Sequence, residues 1–188
     1  MKVKVGISNH HVHLCEDDYK ILFGEVEFLK KVDLNQPGEF ASVLTVSIKG
    51  QKGQIDNVRV LGPLRGYTQV EISKTDSYKL GVNPPVCASG NLENASLITI
   101  IGPNGSIDRN ACIIANRHIH VDKDILKENN LEGVEEVNLR ISGCKAGILE
   151  NVSLKETPKA YFEVHLDTDD ANAFLLKQND EVEIILTK

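Results

Sequence analysis

A chain of 188 residues with 41% hydrophobic and 26% charged side chains is long enough for one large domain or two small ones, with a core that needs no staples. Its formal charge of -6, with 21 Lys and Arg residues dispersed along the chain, argues against nucleic acid, whose phosphates demand a concentrated basic face; an anionic small substrate stays open, because a few local cations can reverse the field inside one cleft. No apolar run approaches the ~20 residues of a membrane span, and no low-complexity run signals disorder.

In chain order, VKVGIS from Val3 alternates charge and Val and runs directly into NHHVHL, Asn9-His10-His11-Val12-His13-Leu14. That start leaves no room for a signal or transit peptide, so a cytoplasmic protein is expected. The scattered cysteines, Cys15, Cys87, Cys112 and Cys144, accordingly read as reduced thiols. A short helix is expected over 16–23, then Val- and Ile-rich strands in SVLTVSI, NVRVLG and TQVEIS, a helix over 77–80, and strands in SLITIIG and ACIIA. NRHIHV follows at 116–121, then a helix over 124–129, strands in EEVNLRI and AYFEVHL, a helix over 169–175 and a last strand, EVEIIL. Each helix is led by a residue suited to capping, such as Asp or Thr. The pattern is mainly β: small β-barrels capped by short α-helices, since a doubly wound sheet would want a long helix after each strand.

Repeats point to an internal duplication. GQKGQIDNV at Gly50, GPNGSIDRN at Gly102 and, more loosely, GCKAGILENV at Gly143 share glycines expected to supply the positive φ of hairpin turns. HLCEDD from His13, HVDKDI from His120 and HLDTDDA from His165 each read as a strand-end histidine followed by an acidic helix cap. Three copies imply histidines at equivalent strand ends.

On an extended strand, residues i and i+2 face the same way, so His11 with His13 and His118 with His120 each present two imidazoles side by side. One His-x-His is weak; two copies and His165 in the same context point to a metal site. Imidazole suits several metals, and without Cys beside the histidines or a redox motif, zinc is the default. Five histidines exceed the need of one catalytic ion, leaving two metals, or one metal with a catalytic histidine, as the economical readings. In GPLRGYTQVEIS, a Gly62-Pro63 turn presents Arg65, whose planar fork suits an oxyanion such as phosphate. The strand after it sets Gln69, Glu71 and Ser73 on one face, where Glu71 could supply a carboxylate to a metal.

NHHVHL, VLGPLRGYTQVEISKTDSYKLG, NPPV, CIIANRHIH and EVHLDTDDANA, in this order, resemble the phosphate propanoyltransferase family, a phosphotransacylase type unrelated to the larger enzyme of that activity. The resemblance covers nearly the whole chain. It implies two β-barrels capped by short helices, a homodimer, a dinuclear zinc site between the barrels, and transfer of an acyl group, propanoyl or acetyl, between coenzyme A and inorganic phosphate. It further implies that His11 and His13 bind one zinc, that Glu71, His118, His120 and His165 bind the other, and that Arg65 holds phosphate. Ser8, Arg59, Leu61 and Asn172 fall where the family lines its coenzyme A site. The barrels are expected to interleave, residues 1–9 with 116–188 forming the first and 10–115 the second.

Two positions depart from the family pattern: His10 and Cys87 stand where it commonly has Arg, which removes positive charge near an expected anionic ligand. His10 faces away from the side shared by His11 and His13 and reads as a non-ligand. Some members carry an N-terminal peptide that directs them into bacterial microcompartments; the early first strand favours the cytosol. With no Ser or Cys in a nucleophile elbow, direct transfer from thioester to phosphate is expected over an acyl-enzyme. The rival readings are a zinc-dependent hydrolase or cupin-like oxygenase, and a non-catalytic metal-stabilised binding module, which would bind metal without turnover.

Overall fold

Period-two alternation builds the strands. In Glu181–Leu186, buried Val182 and Ile184 alternate with glutamates, and in Lys2–Ser8 buried Val3 and Val5 alternate with lysines, so one face of each strand is apolar and the other wet. The computed structural model describes residues 1–186. Its elements in chain order are β1 (Lys2–Ser8), β2 (His11–His13), α1 (Glu16–Phe23), β3 (Lys30–Asp33), β4 (Phe40–Lys49), β5 (Gln54–Gly62), β6 (Gln69–Glu71) and α2 (Lys74–Leu80). There follow β7 (Val86–Cys87), β8 (Ser96–Ile101), β9 (Ser106–Ala115), β10 (His118–Val121), α3 (Lys123–Glu128), β11 (Glu136–Ile141), β12 (Gly147–Glu156), β13 (Glu163–Asp167), α4 (Thr168–Phe174) and β14 (Glu181–Leu186). The chain is mainly β, and none of the described helices is long and apolar enough to cross a membrane.

It divides into two units, Met1–Ser8 with Asn116–Lys188, and Asn9–Ala115. In the first, β1-β13-β10-β12-β11-β14 closes into a barrel around Val5, Ile119, Leu139, Val164 and Leu166. In the second, β4-β5-β2-β6-β9-β8 closes through the pairing of β8 with β4, and β3 and β7 extend the edges. Val12, Leu14, Ile48, Val60, Val70 and Ile100 fill that core. Each such side chain removed from water contributes about 1.5–3 kcal/mol before conformational entropy is counted.

The two barrels repeat one plan. β2 runs parallel to β5 and antiparallel to β6, as β10 runs parallel to β12 and antiparallel to β13. β6 pairs with β9 in parallel, as β13 does with β1. A helix follows β2, β6, β10 and β13 in turn. The register fixes the correspondence of side chains: His11 lies opposite Glu71, and His118 lies opposite His165.

Four expectations are corrected by this arrangement. The helix expected at 77–80 starts at Lys74, because Ser73 accepts from the Asp76 N–H and the Asp76 side chain returns a bond to the Ser73 N–H, closing a capping box. β12 was not expected as a strand; its polar sequence buries only Leu149 and Val152, three apart, on either side of Asn151, which adopts φ 58. That is the spacing of a bulge, not of clean alternation. The hairpin glycines serve close approach more than positive φ. Gly143 does take φ 124, but a Cβ on Gly102 would stand 2.5 Å from the Leu22 oxygen, and one on Gly50 would collide with that of Leu80. These hairpins seat on helix ends, where the Asn104 and Lys52 N–H groups donate to those same carbonyls at 3.0 and 2.9 Å. Finally, His165 is not equivalent to His13 and His120, as the HL and HV strings suggested. It lies on β13, whose counterpart is β6, so the residue that holds its place in the other barrel is Glu71.

Candidate metal centres

The first centre is built on two adjacent strands. β2 turns His11 and His13 to one side, both under a tenth exposed, with ring centroids 5.1 Å apart. β6 brings Glu71 opposite His11, and the three side chains offer ligand atoms within 4.8 Å of one another. A carbonyl can only accept, so the 2.8 Å contact between His11 Nδ1 and the Asn9 oxygen puts the proton on Nδ1. His11 Nε2 is then the nitrogen that faces Glu71 Oε2, at 3.4 Å. The other carboxylate oxygen, Oε1, accepts from Gln69 Nε2 at 2.6 Å and from Ser89 Oγ at 3.1 Å. Gln69 is in turn fixed, because its Oε1 accepts from the Gly90 N–H at 2.7 Å. Burial pushes His11 towards its neutral form, but the neighbouring Glu71 carboxylate prevails and holds its pKa above the ordinary imidazole value, with Arg65 opposing. A site that raises a proton's affinity in this way attracts cations generally.

The second centre repeats the geometry with a different third member. His118 and His120 stand on β10 and His165 on β13, again with ligand atoms within 4.8 Å. His118 Nδ1 donates to the Asn116 oxygen at 2.9 Å, and its Nε2 meets His120 Nε2 at 3.2 Å. The His165 ring lies 4.5 Å from that of His120 and 5.2 Å from that of His118, centroid to centroid. The resemblance had assigned Glu71 to the same ion as these histidines; the structure gathers it with His11 and His13, and the His118 trio forms without it.

These donor sets fit zinc. Ligands about 2.0–2.1 Å from a tetrahedral ion are spaced roughly 3.3–3.4 Å from each other. The observed 3.4 Å between His11 Nε2 and Glu71 Oε2, and 3.2 Å between the His118 and His120 Nε2 atoms, are edges of that size. The backbone carbonyls behind His11 and His118 lock the tautomer as partners of metal-bound histidines do.

The remaining sequence candidates are placed as follows. Arg65, one-fifth exposed, donates to Glu39 Oε1 at 3.1 Å, and its charge is felt at His11. Arg59 donates to the Ser42 and Val43 carbonyls and lies in register with His11, as Leu61 does with His13. Ser8 ends β1 beside Asp167, and Asn172 is exposed on α4. Cys87 on β7 lies within the field of Glu71; burial first and that carboxylate second push its thiol pKa up. His10 points away from the centre and its Nδ1 meets Asp76 Oδ2 at 3.1 Å. Its counterpart Arg117 reaches Asp170, and each aspartate is the third residue of the helix after the antiparallel partner strand, α2 after β6 and α4 after β13. The histidine thus keeps the arginine's anchoring role. Ser89, Glu39 and Glu163 were not foreseen. The signal that could have found Glu163 is its spacing, since EVH and QVE each put two polar side chains on one strand face.

The family model described as phosphate propanoyltransferase matches residues 4–177. Among curated relatives so named, one from Thermotoga maritima is 46% identical over 184 residues, 96% of this chain and 88% of its own. Another, from Priestia megaterium, is 45% identical over 180 residues, covering 95% and 83%. A third, from Rhodopseudomonas palustris, is 41% identical over 185 residues, covering 97% and 82%.

Proposed function

Because this chain belongs to the phosphate propanoyltransferase family of acyltransferases, we propose that it exchanges a propanoyl or acetyl group between coenzyme A and inorganic phosphate. The observation that carries the reading is the pair of ligand trios at corresponding register positions of the two barrels, with Arg65 near the first. His11, His13 and Glu71 would hold one zinc, and His118, His120 and His165 a second. Zinc bound at such sites supplies Lewis acidity that polarises a thioester carbonyl and orients phosphate oxygens.

The chain's own residues supply the rest. Arg65 exchanges its Glu39 partner for phosphate, since both oxyanions suit the same guanidinium fork. Held there, a phosphate oxygen forms the bond to the acyl carbon as the carbon–sulfur bond breaks, and coenzyme A leaves as the thiolate. Fixing both reactants in one pocket supplies much of the rate through proximity. Ser8, Arg59, Leu61 and Asn172 are assigned to coenzyme A.

Direct transfer fits the state of Cys87 and Cys112. Cys112 is wholly buried and its thiol is pushed up by burial to about 12, and Cys87 is shifted the same way. Both shifts disfavour the thiolate an acyl-enzyme would need.

The test follows thiol release from propanoyl- and acetyl-coenzyme A with and without phosphate, on protein whose zinc has been counted. Release that depends on phosphate, and is lost in Arg65→Ala with zinc content retained, is the expected result. Release without phosphate would make the protein a hydrolase, and loss of zinc in Arg65→Ala would make Arg65 structural.

A further inference from the structure

The two centres differ in where their carboxylate stands. In the first, β6 carries Gln69 and Glu71 on one face: the carboxylate belongs to the trio and a neutral amide stands behind it. In the second, β13 carries Glu163 and His165 on one face, and the order is reversed. The trio is made of three imidazoles, and the carboxylate stands behind, with Glu163 Oε2 3.0 Å from His165 Nε2.

Glu163 is only 3% exposed, and burying a carboxylate is costly unless something nearby is positive or donates to it. Its place is also built for it. β1 sets Gly6 directly beside His165 in register, and a Cβ at Gly6 would stand 2.7 Å from the Glu163 carboxyl carbon and 2.8 Å from Oε2. A side chain at that position would push the carboxylate out of its present place.

We propose that Glu163 is a positioning residue for the second centre: its carboxylate accepts a hydrogen bond from the Nε2–H of His165, fixes that ring's tautomer and turns Nδ1 towards the metal. This rests on the reading that the His118 trio binds a metal. Carboxylates behind metal-bound histidines orient the ring and strengthen it as a ligand. The charge bookkeeping agrees, as a divalent ion held by two imidazoles and Glu71 leaves a net single positive charge. The same ion held by three imidazoles leaves two, and buried Glu163 brings the second centre back to one. His11 and His118, by contrast, have Nδ1 committed to a backbone carbonyl and present Nε2, so His165 alone of these three would bind through Nδ1.

Glu163→Gln tests this, because it keeps the shape and removes the charge. Protein stripped of metal is titrated with zinc against a chromophoric chelator. The wild type is expected to show two sites, and in Glu163→Gln one of them weakens by about 10–100-fold while the other is unchanged. Glu163→Leu should weaken the same site further, and thermal unfolding of metal-free Glu163→Gln should match the wild type, which a purely structural glutamate would not allow. In the ¹⁵N spectrum of the wild type, zinc should shift His165 Nδ1 while Nε2 keeps its proton. Two sites of wild-type affinity in Glu163→Gln, or zinc shifting Nε2, would overturn the proposal. A wild type that takes up no zinc would instead sink the metal reading on which it rests.

Discussion

Arg117→Ala removes one well-built interaction without touching a core side chain. The guanidinium donates Nε to Asp170 Oδ2 and Nη2 to Oδ1, both at 2.8 Å, and Nη1 to the Glu150 carbonyl at 3.0 Å. Hydrogen bonds to charged groups contribute about 1.5–3 kcal/mol each. A third of the Arg117 side chain and a fifth of that of Asp170 are exposed, so water recovers part of the loss, and a net cost of about 2 kcal/mol is expected. For a chain of this length the unfolding midpoint should fall by about 4–8 °C. At the corresponding place His10 makes a single contact to Asp76, and His10→Ala should cost about 1 kcal/mol or less. Both variants are compared by circular dichroism on chelator-treated protein, with urea titrations for the free energies. Equal losses at the two positions, or a drop under about 1 °C for Arg117→Ala, would refute the magnitudes drawn from these contacts. His10→Arg extends the test: with Asp76 available as acceptor, it should raise the midpoint, and a lowered midpoint would show that the second barrel has repacked around its histidine.

Asp18 should govern acid stability. Burial raises its pKa, but bonds from Arg109 and Thr68 outweigh burial and hold it below the usual carboxylate range. A depressed folded-state pKa contributes stability that is complete above the unfolded value of about 4 and is lost as pH falls through the folded one. Asp18→Asn should therefore cost about 1–3 kcal/mol at neutral pH and progressively less below pH ~4; a difference in urea midpoint that stays constant with pH would contradict it. Gly102→Ala forces a Cβ against the Leu22 carbonyl and should cost about 1–3 kcal/mol, measured by the same titration. A neutral result would mean that the hairpin can lift from the end of α1 at no cost.

The elements that sequence pattern makes legible here are those whose chemistry is local. β2 and β10 announce themselves by His-x-His, because period two is a property of the strand itself. β14 and β11 alternate cleanly for the same reason, and α1 was expected over the residues it occupies. β12 was hidden because Asn151 interrupts the alternation, so its buried positions fall three apart. β3 and β7 span four and two residues, too short to carry any period.

The pairing of the ligands is a different kind of information, and no local period contains it. His165 and Glu71 share neither residue type nor neighbours; what makes them counterparts is that β13 and β6 each lie antiparallel to a His-x-His strand, in a register set by barrel closure. The string HLDTDD pointed to His13 instead, because all four short helices here follow a strand and carry acidic residues in their first turn, which favours the helix N-terminus and makes such junctions look alike. Acidic first turns therefore repeat wherever one of these strands meets a helix, whereas a ligand position repeats only where two strands hold the same place in the barrel. The contrast between Gln69–Glu71 and Glu163–His165 follows from this: once register fixes two same-face positions, a carboxylate at either one stands beside the ligands of its centre.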